Sequence, residues 1–242
     1  MAIRLVVGLG NPGKEYERTR HNAGFWLVER FAQANHVALR KDGKFQALVG
    51  RIDPAGAWLL MPQSFMNRSG SAVQMLAGFF KIKPEEILVV HDELDFDPGV
   101  ARLKQGGGIA GHNGLRDISQ RIGSHDYWRL RIGVGRPPAG REGADYVLEK
   151  PMAEDKAAID ASIDKALALL PQMIAGDMQG AMNKLHTEDK PPAKEEPAKK
   201  EAPIKEPPPK DAPQKDVPQR AEAAPKAAAE KKGLLGGLFG KK

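Results

Sequence analysis

The sequence contains no cysteine, which excludes disulfide bridges and thiolate metal sites from all 242 residues. It also has no apolar run near the roughly 18 residues that a membrane-spanning helix needs, and the run at residues 3–9 is too short for a signal-peptide core. The net charge is only +6, which permits nucleic-acid binding without requiring it. These features predict a soluble, cytoplasmic protein.

The amino-acid composition changes sharply after His186. Ten of the 19 prolines lie in residues 187–242, mixed with Lys, Glu and Ala. Such a segment buries too little apolar surface to offset its ordering entropy, so we expect a disordered tail. Its last part, KKGLLGGLFGKK, is either a weak anchor for a membrane surface or partner, or a frayed end whose glycines oppose a helix. The folded part is therefore predicted to be one domain, residues 1–186.

Short apolar runs alternate with helical stripes through residues 1–186. The continuous apolar runs at 3–8 and 87–90 predict strands that are buried on both faces. We expect Ser69 or Ser71 to cap the second helix, and Pro171 to kink or end the last one. Further elements are predicted as strands near 45–52, 57–61, 100–104 and 127–134, and helices near 25–32, 73–80, 115–122 and 159–170. This order predicts an α/β fold, a single layered domain with a twisted, mixed, partly parallel sheet flanked by helices.

The first strand ends in a glycine-rich turn, residues 8–13, that matches the dinucleotide fingerprint G-x-G-x-x-G. The match is weak because Pro12 interrupts it and the polar loop 14–20 separates the third glycine from the next helical pattern. A pyrophosphate would then lack the helix N-terminus that it requires. A tight turn that leaves the Asn11 amide facing a cleft is the favoured interpretation.

Polar residues follow several of the predicted strands. His21 precedes the first helical pattern, and Asp92 follows the strand at 87–90. A carboxylate there could hold an imidazole N–H and favour the tautomer that accepts a proton. Asn67 and Asn113 both precede helical patterns, where each either caps a helix or directs an amide N–H at a developing oxyanion.

Two other kinds of active site are less well supported. His21, His91, His112 and Asp92 could converge on a metal, but no pair of them has the spacing of ligands on one helix face. A covalent nucleophile is poorly supported, since there is no cysteine and no serine in a G-x-S-x-G turn. For a hydrolase, this leaves a water molecule activated by histidine.

Basic residues alternate along two predicted strands. Arg102 and Lys104 share one strand face, and so do Arg129 and Arg131, because side chains repeat every second residue. Side by side, these strands would form either a cationic patch for phosphate or a merely solvated sheet face. The glycine-rich segment 105–111 lies beside the patch as a candidate lid.

The sequence closely resembles the bacterial peptidyl-tRNA hydrolase family over residues 3–186. Four ordered motifs carry the resemblance: GLGNPGKEYERTRHNAGF, MPQSFMNRSG, VVHDELDFDPGVARLKQGGGIAGHNGL and RLRIGVGRP. The resemblance implies a single-domain α/β monomer that needs no cofactor. It also implies a reaction, cleavage of the ester between a peptide and the 3′ ribose of tRNA, which recycles tRNA from abandoned translation.

The resemblance also assigns roles to individual residues. His21 corresponds to the catalytic base, Asp92 to the carboxylate that keeps it basic, and Asn11 to the amide that recognises the peptide backbone. The positions that line the substrate and tRNA 3′-end site are Tyr16, Phe65, Asn67 and Asn113, and those that clamp the tRNA 5′-phosphate are Lys104 and Arg131. The alternatives are an RNA- or tRNA-binding module without catalysis, and a nucleotide-dependent oxidoreductase.

Overall fold

The computed structural model describes residues 1–187, and a seven-stranded mixed sheet forms their centre. The strands are β1 (Leu5–Gly8), β2 (Arg40–Asp42), β3 (Ala47–Ile52), β4 (Ala57–Pro62), β5 (Ile87–Glu93), β6 (Ala101–Gln105) and β7 (Trp128–Gly133). Their order in the sheet is β2-β3-β4-β1-β5-β7-β6. β1 runs parallel to β4 and β5, and β5 runs parallel to β7, whereas the other pairs are antiparallel. The predicted mixed α/β fold is confirmed.

Helices cover both faces of this sheet. They are α1 (Ala23–Ala34), α2 (Ser69–Phe79), α3 (Asn113–Ile122), α4 (Gly143–Val147), α5 (Ala153–Ile174) and α6 (Met178–Thr187). Along β1 the side chains alternate, so that Val6 packs with α1, α5 and α6, while Leu5 and Val7 pack with α2 and α3. Both faces of the central strands are therefore buried, as their continuous apolar sequences predict. Within residues 1–187, no helix combines the length and hydropathy needed to cross a membrane.

The path of α1 across the sheet depends on Gly24. A Cβ atom there would lie 2.3 Å from the Val90 carbonyl oxygen and 2.4 Å from the Leu9 nitrogen. The absence of a side chain thus lets the helix start lie directly against β1 and β5, which brings His21 to the carboxyl edge of the sheet. Because α1 begins at Ala23, far beyond the third glycine of the turn, the glycine-rich turn lacks the helix N-terminus that a dinucleotide-binding site requires.

Several local predictions differ from the structure. β5 does not end at Val90 but continues to Glu93, because its ladder with β7 extends to Gly133. Neither serine caps α2: a 3₁₀ turn, Met66–Arg68, leads into the helix, and Ser69 is its first residue. Pro171 does not end α5, which continues to Ile174. The short edge strand β2 was not predicted, since RKD has no strand pattern.

The described part of the chain ends with α6, which packs against α5 and β6. The predicted disordered tail, residues 187–242, lies outside the described residues except for Thr187. That prediction, and the predicted domain boundary at residue 186, stay predictions.

Candidate active site

A cleft of about 500 Å³ opens at the carboxyl ends of β1 and β5. Its walls come from the turn after β1, the 3₁₀ turn before α2, the end of β5, the start of α3, and α4. Seven of the nine residues that the sequence predicted for the site line this cleft: Asn11, Tyr16, His21, Phe65, Asn67, Asp92 and Asn113. The other two, Lys104 and Arg131, are not among the lining residues.

His21 and Asp92 form the centre of the cleft. The Nδ1 atom of His21 lies 2.9 Å from both carboxylate oxygens of Asp92. Because Nδ1–H donates to the carboxylate, the Nε2 lone pair of His21 remains available to accept a proton. Burial lowers the pKa of His21, but the charge and hydrogen bond of Asp92 outweigh burial, and the pKa is raised above its ordinary value.

Asp92 is held by a second imidazole, that of His112. The Nδ1 atom of His112 accepts the backbone N–H groups of Gly114 and Leu115, 3.2 and 3.4 Å away, and thereby caps α3. Its proton is therefore on Nε2, which donates to Asp92 Oδ1 at 3.1 Å. Burial raises the pKa of the Asp92 carboxyl, but His21 and His112 outweigh it and hold that pKa well below its ordinary value.

The cap of α3 corrects an interpretation of the sequence. Neither asparagine caps a helix: Asn113 is the first residue of α3, and Asn67 lies inside the 3₁₀ turn before α2. Both side chains are exposed in the cleft. Sequence reasoning considered His112 only as a metal ligand, although its place directly before the helical pattern indicated a cap.

Asn11 is fixed in place by three hydrogen bonds to two residues. Its Oδ1 accepts the backbone N–H of Met66 at 2.7 Å. Its own backbone N–H and C=O are both bound by the Asn22 side-chain amide, at 2.8 and 2.9 Å. With Oδ1 engaged, the Nδ2 group of Asn11 is the part of the amide available to a ligand in the cleft.

Aromatic side chains form the open side of the cleft. Phe65 is 58% exposed, and Tyr16 contacts it edge-on with 6.3 Å between ring centroids. The lining of the cleft also includes α4, and Arg20 packs against this helix. The guanidinium of Arg20 lies 3.8 Å from the centroid of the Tyr146 ring and donates to the Tyr146 carbonyl oxygen. Sequence reasoning missed Arg20, because its wall-forming partners lie more than a hundred residues away in the chain.

The basic residues predicted to clamp phosphate lie on a sheet face beside the cleft. In the β6–β7 pairing, Lys104 is opposite Arg129, and Arg131 is opposite Arg102. All four thus share one face, as the alternation predicts, while Leu103 and Leu130 are in the core. Arg131 donates from Nε to the buried Glu93 carboxylate at 2.9 Å, so its charge is already paired.

Three side chains in the cleft could also hold a metal by proximity. One nitrogen or oxygen atom each from His21, Asp92 and His112 lie within 4.8 Å of one another. His21 Nδ1 and His112 Nε2 both donate hydrogen bonds to Asp92, so a cation bound by these two nitrogens would have to displace both protons. The three side chains come from separate segments of the chain, so no spacing of ligands on one helix face marks their convergence in the sequence.

Comparison with known proteins identifies the family. The family model described as peptidyl-tRNA hydrolase matches residues 5–194. The peptidyl-tRNA hydrolase of Thiobacillus denitrificans is 53% identical to this chain, and the match covers 80% of this chain and 95% of that protein. The peptidyl-tRNA hydrolase of Methylococcus capsulatus is 55% identical, and the match covers 76% of this chain and 99% of that protein. The crystal structure of peptidyl-tRNA hydrolase from Acinetobacter baumannii is 46% identical, with a TM-score of 0.74 over 76% of this chain and 95% of that one.

Fold and comparisons together define a hydrolase built on a mixed α/β sheet. The chain belongs to the peptidyl-tRNA hydrolase family. The resemblance read from the four sequence motifs is therefore confirmed.

Proposed function

We propose that this protein hydrolyses the ester bond between the peptide and the 3′ ribose of tRNA in peptidyl-tRNA. Family membership supports this activity, and one structural observation carries the mechanism. His21 is oriented by the buried Asp92 so that its Nε2 can accept a proton at the cleft. The proposed catalytic unit is residues 1–186, which acts as a cytoplasmic monomer with no cofactor and no required protein partner.

In the proposed reaction, His21 Nε2 removes a proton from a water molecule whose oxygen attacks the ester carbonyl carbon. The tetrahedral intermediate collapses by breaking the bond to the 3′ oxygen, which receives the proton from His21. The products are a peptide carboxylic acid and tRNA with a free 3′ hydroxyl. Asp92 stays ionised and stabilises the imidazolium, and such general-base catalysis typically contributes about 10²- to 10⁴-fold.

The amides around the cleft are assigned to substrate recognition. The Asn11 Nδ2 group is proposed to bind the peptide backbone, which would separate peptidyl-tRNA from free aminoacyl-tRNA. Asn67 and Asn113 present exposed amides in the cleft that Asp92 also lines, where one of them could polarise the scissile carbonyl. One preorganised donor of this kind is typically worth about 10²- to 10³-fold in rate.

The remaining predicted residues are assigned to the tRNA. Phe65 and Tyr16 offer aromatic surface on which a base of the tRNA 3′ end can stack. Lys104 and Arg131 are proposed to bind the 5′-phosphate. Contacts to phosphate carry no sequence information, which suits an enzyme that accepts many different tRNAs.

Replacement of the proposed base tests this function. His21→Ala should reduce turnover of N-acetyl-aminoacyl-tRNA by about 10²- to 10⁴-fold, since the general base is lost. Its affinity for deacylated tRNA should stay near that of the wild type. His125→Ala is the matched control, because His125 is exposed on the loop before β7. Full activity of His21→Ala would contradict the proposal.

A non-catalytic tRNA-binding module is the second candidate, favoured by the basic face of β6 and β7. That protein would bind tRNA with a steep salt dependence but release no peptide at any enzyme concentration. The same assay with wild-type protein therefore separates the two functions.

A further inference from the structure

Arg129 carries a buried charge whose partners are incomplete. The residue is 4% exposed, and its Nε and Nη2 atoms are buried without a hydrogen-bond partner. Its Nη1 donates to the Gly108 carbonyl oxygen at 2.6 Å. Glu93, an acidic residue on the same sheet face, is bound to Arg131. A buried guanidinium is costly unless its donors and its charge are satisfied, so this site suits an additional anion.

A glycine strap, defined here as residues 106–108, covers Arg129. A Cβ atom on Gly107 would lie 3.1 Å from Arg129 Nη2 and equally close to Lys104 Nζ, so the strap backbone rests directly on both cations. Gly106 and Gly107 have φ values of 60° and 87°, which glycine adopts without strain. Lys104 pairs with Arg129 across the strands, so the two cations approach each other beneath the strap.

The carbonyl oxygen of Gly108 occupies a position suited to a phosphate oxygen. The Gly108 carbonyl offers one neutral acceptor oxygen to Arg129, whose planar guanidinium can donate two parallel hydrogen bonds. A terminal phosphate offers three acceptor oxygens and between one and two negative charges, and it could satisfy Arg129 and Lys104 together. Arg131, in contrast, is compensated by Glu93, which leaves Arg129 as the less neutralised arginine of the pair in β7.

We propose that Arg129 is a phosphate-binding residue, and that the glycine strap opens so that the tRNA 5′-phosphate replaces the Gly108 carbonyl between Arg129 and Lys104. This inference rests on the proposed function and adds a buried arginine to the expected clamp of Lys104 and Arg131. Opening exchanges a hydrogen bond to a neutral carbonyl oxygen for hydrogen bonds to a negatively charged phosphate, so it is driven by the ligand.

The test compares two substrates that differ in one phosphate. N-acetyl-aminoacyl-tRNA is prepared with its 5′-phosphate and, after phosphatase treatment, with a 5′-hydroxyl. For the full-length wild type we expect a ratio of kcat/KM values between the two substrates of about 10 to 100, the usual worth of a charged hydrogen bond. Arg129→Gln should bring this ratio below about 3, because it removes the charge and the fork of donors. Arg121→Gln, an exposed arginine on α3 paired with Asp117, should leave the ratio unchanged.

The ratio is insensitive to the fraction of folded enzyme, since each preparation is assayed with both substrates. If Arg129→Gln slows both substrates equally, the arginine only supports the fold and the proposal is overturned. If Arg129→Gln does not fold, Arg129→Lys keeps the charge without the fork and should lower the ratio by about threefold or more. A ratio unchanged in that variant also overturns the proposal.

Failure of the proposed function is distinguishable from failure of this site. If the wild type hydrolyses neither substrate, the proposed function is wrong, and the same variants are compared by their Kd for deacylated tRNA with and without the 5′-phosphate. A wild-type preference for the phosphate that Arg129→Gln abolishes supports the site. An equal preference in both proteins contradicts it.

Discussion

Replacement of Asp92 by asparagine probes the hydrogen-bond chain at the centre of the cleft. In the wild type, Asp92 accepts protons from His21 Nδ1 and from His112 Nε2, and each imidazole is fixed in one tautomer. An asparagine offers one oxygen and one NH₂ group in the same space. If the oxygen serves His112, the NH₂ group faces His21 Nδ1 and favours the tautomer whose Nε2 carries the proton, which cannot act as a base.

The expected loss follows from the strength of a charged hydrogen bond. If a charged hydrogen bond worth about 1.5–3 kcal/mol is lost from the transition state, kcat should decrease by about 10- to 100-fold. This is a smaller decrease than for loss of His21, because the base itself remains. KM should change little, since Asp92 is 3% exposed and is bound to the two histidines.

The pH dependence of activity gives a second, independent test of the role of Asp92. Only the neutral form of the proposed base, His21, can accept a proton, so we expect wild-type activity to fall as the pH drops below the raised pKa of His21. Without the Asp92 charge, burial alone acts on that pKa and lowers it. The acidic limb of the Asp92→Asn profile should therefore shift to lower pH, although its plateau is lower.

The assay is steady-state hydrolysis of N-acetyl-aminoacyl-tRNA from pH 5 to pH 8, a window chosen around the histidine range. Asp95→Asn is the matched control, because that carboxylate is partly exposed and pairs with Arg136 at the surface. A plateau within about twofold of the wild type, below the loss expected for one hydrogen bond, or an acidic limb that does not move would refute this account of Asp92.

Three further predictions follow from the described residues. Asn11→Asp keeps the acceptor for Met66 N–H but removes the Nδ2 donor. Therefore kcat/KM should fall by about 10- to 100-fold, with little change in Tm. An unaffected kcat/KM would argue against Asn11 as a substrate ligand. Gly24→Ala should lower the free energy of unfolding in urea by about 1–3 kcal/mol, because its Cβ would clash with backbone atoms. Gly78→Ala, with open space around it in α2, should instead raise that free energy by up to about 1 kcal/mol. Equal effects of the two changes would contradict the close approach of α1. Truncation after residue 187 should leave turnover near that of the full chain, because every residue proposed for the site lies between Asn11 and Arg131; a large loss would show that the tail contributes.

Sequence reasoning predicted the elements that bury apolar residues with a clear period. The strand at β1 and the alternation of Arg129 with Leu130 follow directly from side-chain geometry. The extent of β5 could not be predicted in this way, because His91, Asp92 and Glu93 are polar. They join the strand because β7 supplies hydrogen bonds alongside them, a tertiary contact that no local pattern records.

In the candidate site, too, local motifs predicted some residues, whereas tertiary contacts determined others. Motifs selected His21, Asp92 and Asn11, and the topology brought them together at one sheet edge. The cap formed by His112 and the support from Arg20 were missed, since both depend on where a distant segment packs. The pairing of Arg131 with Glu93, and the unpaired charge of Arg129, likewise require the register of β5, β6 and β7.

The most direct test of the proposed activity is release of tRNA from N-acetyl-aminoacyl-tRNA, measured beside unblocked aminoacyl-tRNA with EDTA present throughout. The account predicts rapid cleavage of the blocked substrate alone, because the proposed mechanism has His21 activate water without a metal and Asn11 bind a peptide group. Loss of activity in EDTA would instead assign a metal to His21, Asp92 and His112. No cleavage of either substrate would contradict the account and favour a tRNA-binding protein.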